Sequence, residues 1–221
     1  MSEPIRAAAN INEIPLWQPS ESRKAGSKMA AFAAQLSKKT GEAFPDYTSL
    51  HRWSVGNIEE FWRTIWDFCG VVGERGKTIL KDGDKMPGAQ FFPDSKINYA
   101  ENLLRRNDDG VAIIFRGEQG DEKTYSFAQL HQEVSRWQQA LKTAGIQAGD
   151  RVAGFVPNSP DTLLAMLAVT SLGAVWSSAS PDFGVQGVID RFGQIEPKIL
   201  VCVDGYSYNG KPVDCLQKIR E

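Results

Sequence analysis

The stretch RVAGFVPNSPDTLLAMLAVTSLGAVWSS (residues 151–178) decides the fold class. Its two apolar runs, at 151–156 and 174–178, are predicted to be β-strands. Between them, SPD (159–161) is typical of a helix start, because proline in the first turn loses no hydrogen bond. The helix that follows is apolar nearly all round and is therefore predicted to be buried. Strand, helix and strand in this order indicate a parallel β-α-β unit.

The same alternation continues on both sides of this unit. It comprises 111–117 (strand), 126–145 (helix), 185–195 (helix), 198–203 (strand) and 213–221 (start of a helix). Apolar strands that alternate with helices indicate a mostly parallel sheet with helices on both faces. The last helical pattern has run fewer than three turns at Glu221, so we expect an α/β domain that continues in a longer chain.

Residues 1–105 lack this alternation. We expect them to form a helical and irregular extension before the α/β portion at 106–221. Apolar residues at helical spacing predict one helix over 25–36, which Gly41 stops.

A stronger helix is predicted from Ile58 to Cys69. Asn57 and Glu60 have the spacing of a capping box, and Gly70 suits a C-terminal cap. The broad apolar face of this helix is expected to be core.

Composition narrows the classes of partner and compartment. A formal net charge of -2 gives no basic face for nucleic acid. Three scattered cysteines, Cys69, Cys202 and Cys215, favour a reducing compartment over a disulfide framework or a zinc site. The sequence shows no signal-peptide pattern and no apolar run near the roughly 20 residues that cross a bilayer. We expect a soluble, cytoplasmic protein that binds neither nucleic acid nor membrane.

The serine-rich end of the strand at 174–178 leads into a candidate ligand loop, Ser177–Gly184. Ligands of parallel α/β sheets bind beyond the carboxyl ends of the strands, and small residues let a ligand approach the backbone. The alternative is an ordinary strand-to-helix turn in which a serine or Asp182 caps the helix. No base accompanies the serines, so we do not predict a serine nucleophile.

Two glycine-lysine stretches imitate a phosphate loop. GVVGERGKT (70–78) has one glycine out of place and follows a helix, whereas the motif follows a strand. GYSYNGKP (205–212) has the correct spacing, but Pro212 replaces the Ser or Thr that would hold magnesium. It remains open as a loop that offers a lysine and backbone N–H groups to another phosphate.

The two histidines, His51 and His131, have no Cys, Asp or Glu nearby at the spacing of metal ligands. We therefore predict structural histidines and no metal site.

Longer stretches carry a family resemblance. PGAQFFPDSKINYAENLL (87–104) and the block over 123–178, with its GDRV, PN, AMLA and GA elements, resemble short-chain acyl-CoA synthetases of the adenylate-forming superfamily. WSSASPDFGVQGVIDRFGQIEPK (176–198) and DGYSYNGK (204–211) are closer still to its acetoacetate-activating members. The resemblance covers about Pro15 to Glu221.

The resemblance implies an ATP-dependent acid–thiol ligase. Such an enzyme converts acetoacetate, ATP and CoA to acetoacetyl-CoA, AMP and pyrophosphate through an acyl-adenylate, with Mg²⁺ accompanying ATP. It also implies the incomplete large N-terminal domain of an adenylate-forming enzyme. In the family, the phosphate loop, nucleotide-binding motifs, acyl pocket and C-terminal lysine domain would follow Glu221. We therefore expect residues 1–221 to contain no catalytic residue and, without the remainder of the chain, to be inactive.

By the same resemblance, two stretches contact CoA. Asp182, Phe183 and Gly184 match a loop beside the pantetheine arm. Tyr208-Asn209-Gly210-Lys211 matches an Arg-Gly-Gly-Arg stretch that contacts the CoA nucleotide. Tyr208 and Lys211 stand in place of the two arginines, which leaves one cation instead of two.

Two alternatives stay open. The first is a non-catalytic α/β module that binds CoA or a partner protein through an unfinished sheet. The second is a related short-chain synthetase for acetate or propionate, because the acyl pocket falls outside residues 1–221. No pattern in the sequence determines the oligomeric state.

Overall fold

The computed structural model describes residues 17–221, which fall into two compact units. Of the described residues, the first unit contains 17–70 and Ile79–Phe91, and the second contains Val71–Thr78 and Phe92–Glu221. No helix in the described part of the chain is long and apolar enough to cross a membrane.

Helices dominate the described part of the first unit. Its elements are α1 (Glu21–Ala25), α2 (Lys28–Thr40), α3 (Tyr47–Gly56), α4 (Ile58–Cys69), β1 (Leu80–Lys81) and β2 (Gln90–Phe91). Phe32 and Leu36 of α2 pack against Leu50 and Trp53 of α3, and these four side chains form the buried core of the unit.

The single helix predicted over 25–36 is in fact two helices. The Ser27 hydroxyl accepts the Ala30 N–H and starts a new helix at Lys28. Gly41 ends α2 with φ 77°, as predicted. Helix α3 was not predicted, although Asp46 begins it by accepting the N–H of the residue at N3 in a capping box.

Helix α4 has the predicted bounds, Ile58–Cys69, and Gly70 caps it in the left-handed conformation with φ 58°. The predicted capping box is wrong, because the Asn57 amide donates to the Trp53 carbonyl and makes no cap. The expectation that the whole apolar face is core is also wrong, since Trp62 remains 38% exposed.

The second unit contains a parallel sheet and two β-hairpins. Its elements are α5 (Tyr99–Leu103), β3 (Val111–Arg116), β4 (Glu122–Ser126), α6 (Phe127–Thr143), β5 (Arg151–Phe155), α7 (Pro160–Ser171), β6 (Val175–Ala179), α8 (Val185–Phe192), β7 (Ile199–Cys202), β8 (Gly205–Tyr208), β9 (Lys211–Asp214) and α9 (Leu216–Arg220).

The parallel sheet has the strand order β6-β5-β7. Val152 of β5 faces a core shared with α6 and α7, whereas Ala153 and Phe155 face a core shared with α8. This arrangement confirms the predicted parallel sheet with helices on both faces. Gly154 of β5 leaves room for the Trp176 indole, because a Cβ there would lie 2.5 Å from the ring and force it to move.

Local signals determine where α6 and α7 begin. Ser126 and Gln129 form the predicted capping box at the start of α6. Pro160 occupies the first turn of α7, whose apolar residues are largely buried, as predicted. Helix α8 ends at Phe192, before the predicted Ile195.

Two β-hairpins correct one strand prediction and one loop interpretation. Val111–Arg116 pairs antiparallel with β4 and does not join the parallel sheet. The turn over 117–121 is too short for the crossover that parallel pairing requires. Residues 205–212, interpreted above as a loop, contain β8 and part of β9. Asn209 and Gly210 form the two-residue turn with φ 50° and 72°, a conformation that Asn-Gly favours.

Candidate functional site

A cavity of about 870 Å³ opens at the carboxyl ends of β5 and β6. Four segments of the second unit supply its walls: 115–121, 157–159, 180–182 and 206–208. Its volume falls within the range of small-molecule sites. Residues 157–159 and 180–182 follow β5 and β6, so the cavity lies where parallel α/β sheets bind ligands.

Hydrogen bonds connect walls that are remote in sequence. Gln119 Nε2 donates to Ser207 Oγ at 2.8 Å, and the Gly210 N–H donates to a Glu118 carboxylate oxygen at 3.2 Å. These two bonds tie the β3–β4 turn to the β8–β9 hairpin.

Asp182 accepts hydrogen bonds from two hydroxyl groups. One comes from Tyr206, and the other comes from Ser180 at 2.7 Å. The bond from Tyr206, followed by that from Ser180, lowers the pKa of Asp182 below its ordinary value. The bond to Asp182 in turn raises the pKa of Tyr206 to about 12. At neutral pH a protonated phenol therefore donates to an ionised carboxylate, which is a charge-assisted hydrogen bond.

The cavity lining is acidic. Glu118, Asp121 and Asp182 contribute carboxylates. Arg116 is the cation of the lining, and its Nε lies 2.9 Å from a Glu122 oxygen. This balance of charge favours a neutral, hydrogen-bonding portion of a ligand over a phosphate group.

The first predicted stretch begins at the cavity wall. Asp182 lines the cavity, and Phe183 and Gly184 lead from it into α8. The Arg191 guanidinium carbon lies 3.9 Å from the centroid of the Phe183 ring. Gly184 is the N-cap residue, with no side-chain cap, so the alternative in which Asp182 or a serine caps this helix is wrong.

The second predicted stretch lies on the β8–β9 hairpin. Tyr208 lines the cavity, Asn209 and Gly210 form the turn, and Lys211 begins β9. The Lys211 side chain is exposed and makes no ion pair or hydrogen bond with residues 17–221. A hairpin is not the strand–loop–helix arrangement of a nucleotide phosphate loop.

Sequence reasoning missed Tyr206, Glu118 and Gln119. The Asn-Gly pair predicts a hairpin and would have placed Tyr206 in a strand. No local pattern predicts that the β3–β4 turn meets this hairpin, because 88 positions separate Gln119 from Ser207.

Both histidines have ordinary structural contacts. His131 Nε2 is hydrogen-bonded with the Leu104 carbonyl, and the His51 ring stacks on Tyr47. Within residues 17–221, no three His, Cys, Asp or Glu side chains form a group that could hold a metal ion.

Comparison with protein families shows which family the chain belongs to. The family model described as AMP-binding enzyme matches residues 100–221, which is more than half of the chain. The chain belongs to the AMP-binding enzyme family. A second model, described as the acetyl-coenzyme A synthetase N-terminus, matches residues 47–103 of this family member. The resemblance to adenylate-forming acyl-CoA synthetases is thereby confirmed.

Relatives within the AMP-binding enzyme family are acyl-CoA synthetases. An acetoacetyl-coenzyme A synthetase of Rhizobium meliloti is 50% identical over 94% of this chain and 32% of its own length. An acetoacetyl-CoA synthetase of Macaca fascicularis is 39% identical over 93% of this chain and 31% of its own length. A malonamoyl-CoA synthetase of Penicillium aethiopicum is 36% identical over 93% of this chain and 29% of its own length.

A solved structure also matches this chain. The acetoacetyl-CoA synthetase from Streptomyces lividans superposes with a TM-score of 0.87 at 37% identity, covering 94% of this chain and 33% of its own. This chain therefore spans about a third of the length of the relatives it matches.

Proposed function

We propose that the natural protein containing this chain is an AMP-forming acetoacetate–CoA ligase. The observation that carries the proposal is 50% identity with an acetoacetyl-coenzyme A synthetase over 94% of the chain. The structural match, at a TM-score of 0.87, supports the same assignment.

The proposed reaction has two steps. An acetoacetate carboxylate oxygen attacks the α-phosphorus of ATP, forming acetoacetyl-adenylate and releasing pyrophosphate. The CoA thiol then loses its proton and attacks the acyl carbonyl, forming the thioester and releasing AMP. Mg²⁺ would accompany ATP and neutralise its phosphate charge. Catalysis of this kind depends on positioning and on charge neutralisation at phosphorus.

Within residues 1–221, the proposed contribution is to CoA binding. The cavity suits the neutral pantetheine arm, whose amides pair with polar walls, because its acidic lining disfavours phosphate. Asp182, Phe183 and Gly184 would line the approach of this arm. Tyr208-Asn209-Gly210-Lys211 would face the nucleotide portion, where the unpaired, exposed Lys211 supplies a cation.

The proposal also covers the domain division of the chain and its cellular location. Residues 1–105 would be the N-terminal extension and 106–221 the first portion of the AMP-binding domain. Three free cysteines in the described residues favour a cytoplasmic location.

A related acid is the second candidate substrate. The malonamoyl-CoA synthetase relative matches 93% of this chain, as does the acetoacetyl-CoA synthetase of Macaca fascicularis. Similarity over residues 1–221 therefore supports the class of acyl-CoA ligase more strongly than it supports any one acid as the substrate.

A carboxylate panel tests the proposal. The natural gene product, supplied with ATP, Mg²⁺ and CoA, should form a thioester from acetoacetate with kcat/KM at least about tenfold above acetate, propionate and malonamate. Liquid chromatography with mass spectrometry should detect acetoacetyl-CoA and AMP in equal amounts. A preference for one of the other acids would replace the assigned substrate, and failure to form any thioester would reject the ligase.

A further inference from the structure

The connection from β6 to α8 is held by side chains from later in the chain. Lys218 Nζ of α9 donates to the Pro181 carbonyl at 3.1 Å, and Tyr206 of β8 donates to the Asp182 carboxylate. Pro181 itself is among the fully buried side chains. Two elements that follow α8 thus bond to a segment that precedes it, one through its backbone and the other through a side chain.

The bond between Tyr206 and Asp182 is the side-chain tie of this arrangement. It joins residues 24 positions apart, and Ser180 completes the bonding of the carboxylate from within the loop. Asp182 is exposed, whereas Tyr206 is half-buried in the hairpin, so the tyrosine is the fixed partner. Its ring anchors the loop to β8.

The position of Asp182 constrains Phe183, the next residue in the chain. Phe183 remains 38% exposed and packs under the Arg191 guanidinium. With no tie at Asp182, the backbone before Phe183 would be held by Lys218 and the Ser180 turn. The residue directly before Phe183 is thus hydrogen-bonded to a hydroxyl that lies on another element.

We propose that Tyr206 is a positioning residue for the acceptor thiol. Through Asp182 it fixes the Pro181–Gly184 loop in the conformation that receives the pantetheine arm of CoA. This inference rests on the ligase function proposed above. Under this proposal Tyr206 has no role in acyl-adenylate formation. Its loss should therefore affect the CoA-dependent half-reaction and leave the adenylation half-reaction unchanged.

Tyr206→Phe tests the role by removing the hydroxyl while keeping the ring. In the natural gene product, we expect the KM for CoA to rise about fivefold, in keeping with the loss of one charge-assisted hydrogen bond. Acetoacetate-dependent exchange of pyrophosphate into ATP, which needs no CoA, should stay within about twofold of the parent rate. An unchanged KM for CoA would overturn the proposal, as would an equal loss in both half-reactions.

Tyr125→Phe is the matched control. Tyr125 is also half-buried in a hairpin strand, and its hydroxyl makes no hydrogen bond with the described residues. It should leave both the KM for CoA and pyrophosphate exchange unchanged.

A double-mutant cycle keeps the test specific to the pair. Asp182→Ala alone should raise the KM for CoA, and adding Tyr206→Phe to it should cause little further change. Independent effects of the two substitutions, which multiply in the double variant, would overturn the proposed tie.

Failure of the proposed function has a different signature. If the parent protein shows pyrophosphate exchange but no use of CoA, the ligase function itself fails, which is a different outcome from an unchanged Tyr206→Phe variant.

Discussion

Among single residues, Asp150 illustrates how one carboxylate holds the start of a sheet. Its Oδ2 accepts the Gln147 N–H at 2.7 Å and lies 2.9 Å from Lys198 Nζ. Lys198 also donates to the Gly145 carbonyl at 2.7 Å. The turn before β5 and the residue before β7 are thereby joined through one ion pair.

These contacts give Asp150 a pH-dependent contribution to stability. The Gln147 N–H, followed by Lys198, holds the pKa of Asp150 below its ordinary value of 3.8. A carboxylate with a lowered folded-state pKa stabilises the fold above its unfolded pKa, and that stabilisation is lost as the pH falls through the folded pKa.

Asp150→Asn should therefore lower the midpoint of thermal unfolding at pH 7. The difference from the parent protein should shrink as the pH falls below about 4, because the parent carboxylate then becomes protonated. Circular dichroism melts across this range give the measurement. Asp109→Asn is the control, since the exposed Asp109 has no hydrogen bond or ion pair within the described residues. A gap of constant size from pH 7 to pH 2 would contradict the account.

At the scale of elements, the β8–β9 hairpin depends on its two-residue turn. Asn209 and Gly210 both have positive φ, 50° and 72°. Asparagine tolerates this region and glycine enters it without steric cost, whereas other residues do not.

Gly210→Ala should destabilise the hairpin by about 1 kcal/mol, because a Cβ is disfavoured at this φ. Asn209→Gly should change stability by less than about 0.5 kcal/mol. Hydrogen exchange followed by mass spectrometry should show faster exchange over residues 205–214 in Gly210→Ala only. Equal protection in the two variants would show that the turn does not limit hairpin stability.

The elements that sequence predicted well are those with local signals. The Ser126–Gln129 capping box, Pro160 and Gly70 each act within one helical turn, so the start of α6, the start of α7 and the end of α4 could be predicted. The pairing partner of a strand could not be predicted in this way. The apolar β3 has the composition of a buried strand of a parallel sheet, yet it pairs antiparallel with β4. Its choice depends on the length of the turn rather than on the strand itself.

At the scale of the whole molecule, the sequence predicted which edge of the sheet carries the candidate site, but it did not predict the walls of the cavity there. Parallel strands align their carboxyl ends, so the Asp182 loop was expected to face a ligand. Tyr206 and Glu118 enter this site from hairpins that meet only in the folded chain. The family resemblance predicted Asp182 and Tyr208 as site residues. The geometry adds Tyr206, which bonds to Asp182, and Glu118, which bonds to the hairpin turn.

The direct test of the central assignment is acetoacetate-dependent exchange of labelled pyrophosphate into ATP. We predict exchange by the natural gene product that stops when acetoacetate is withheld. Residues 1–221 alone serve as the matched control and should give no exchange, because the resemblance places the ATP contacts after Glu221. Failure of the natural gene product to exchange pyrophosphate in the presence of acetoacetate would contradict the ligase assignment, and exchange by residues 1–221 would contradict the proposed division of labour along the chain.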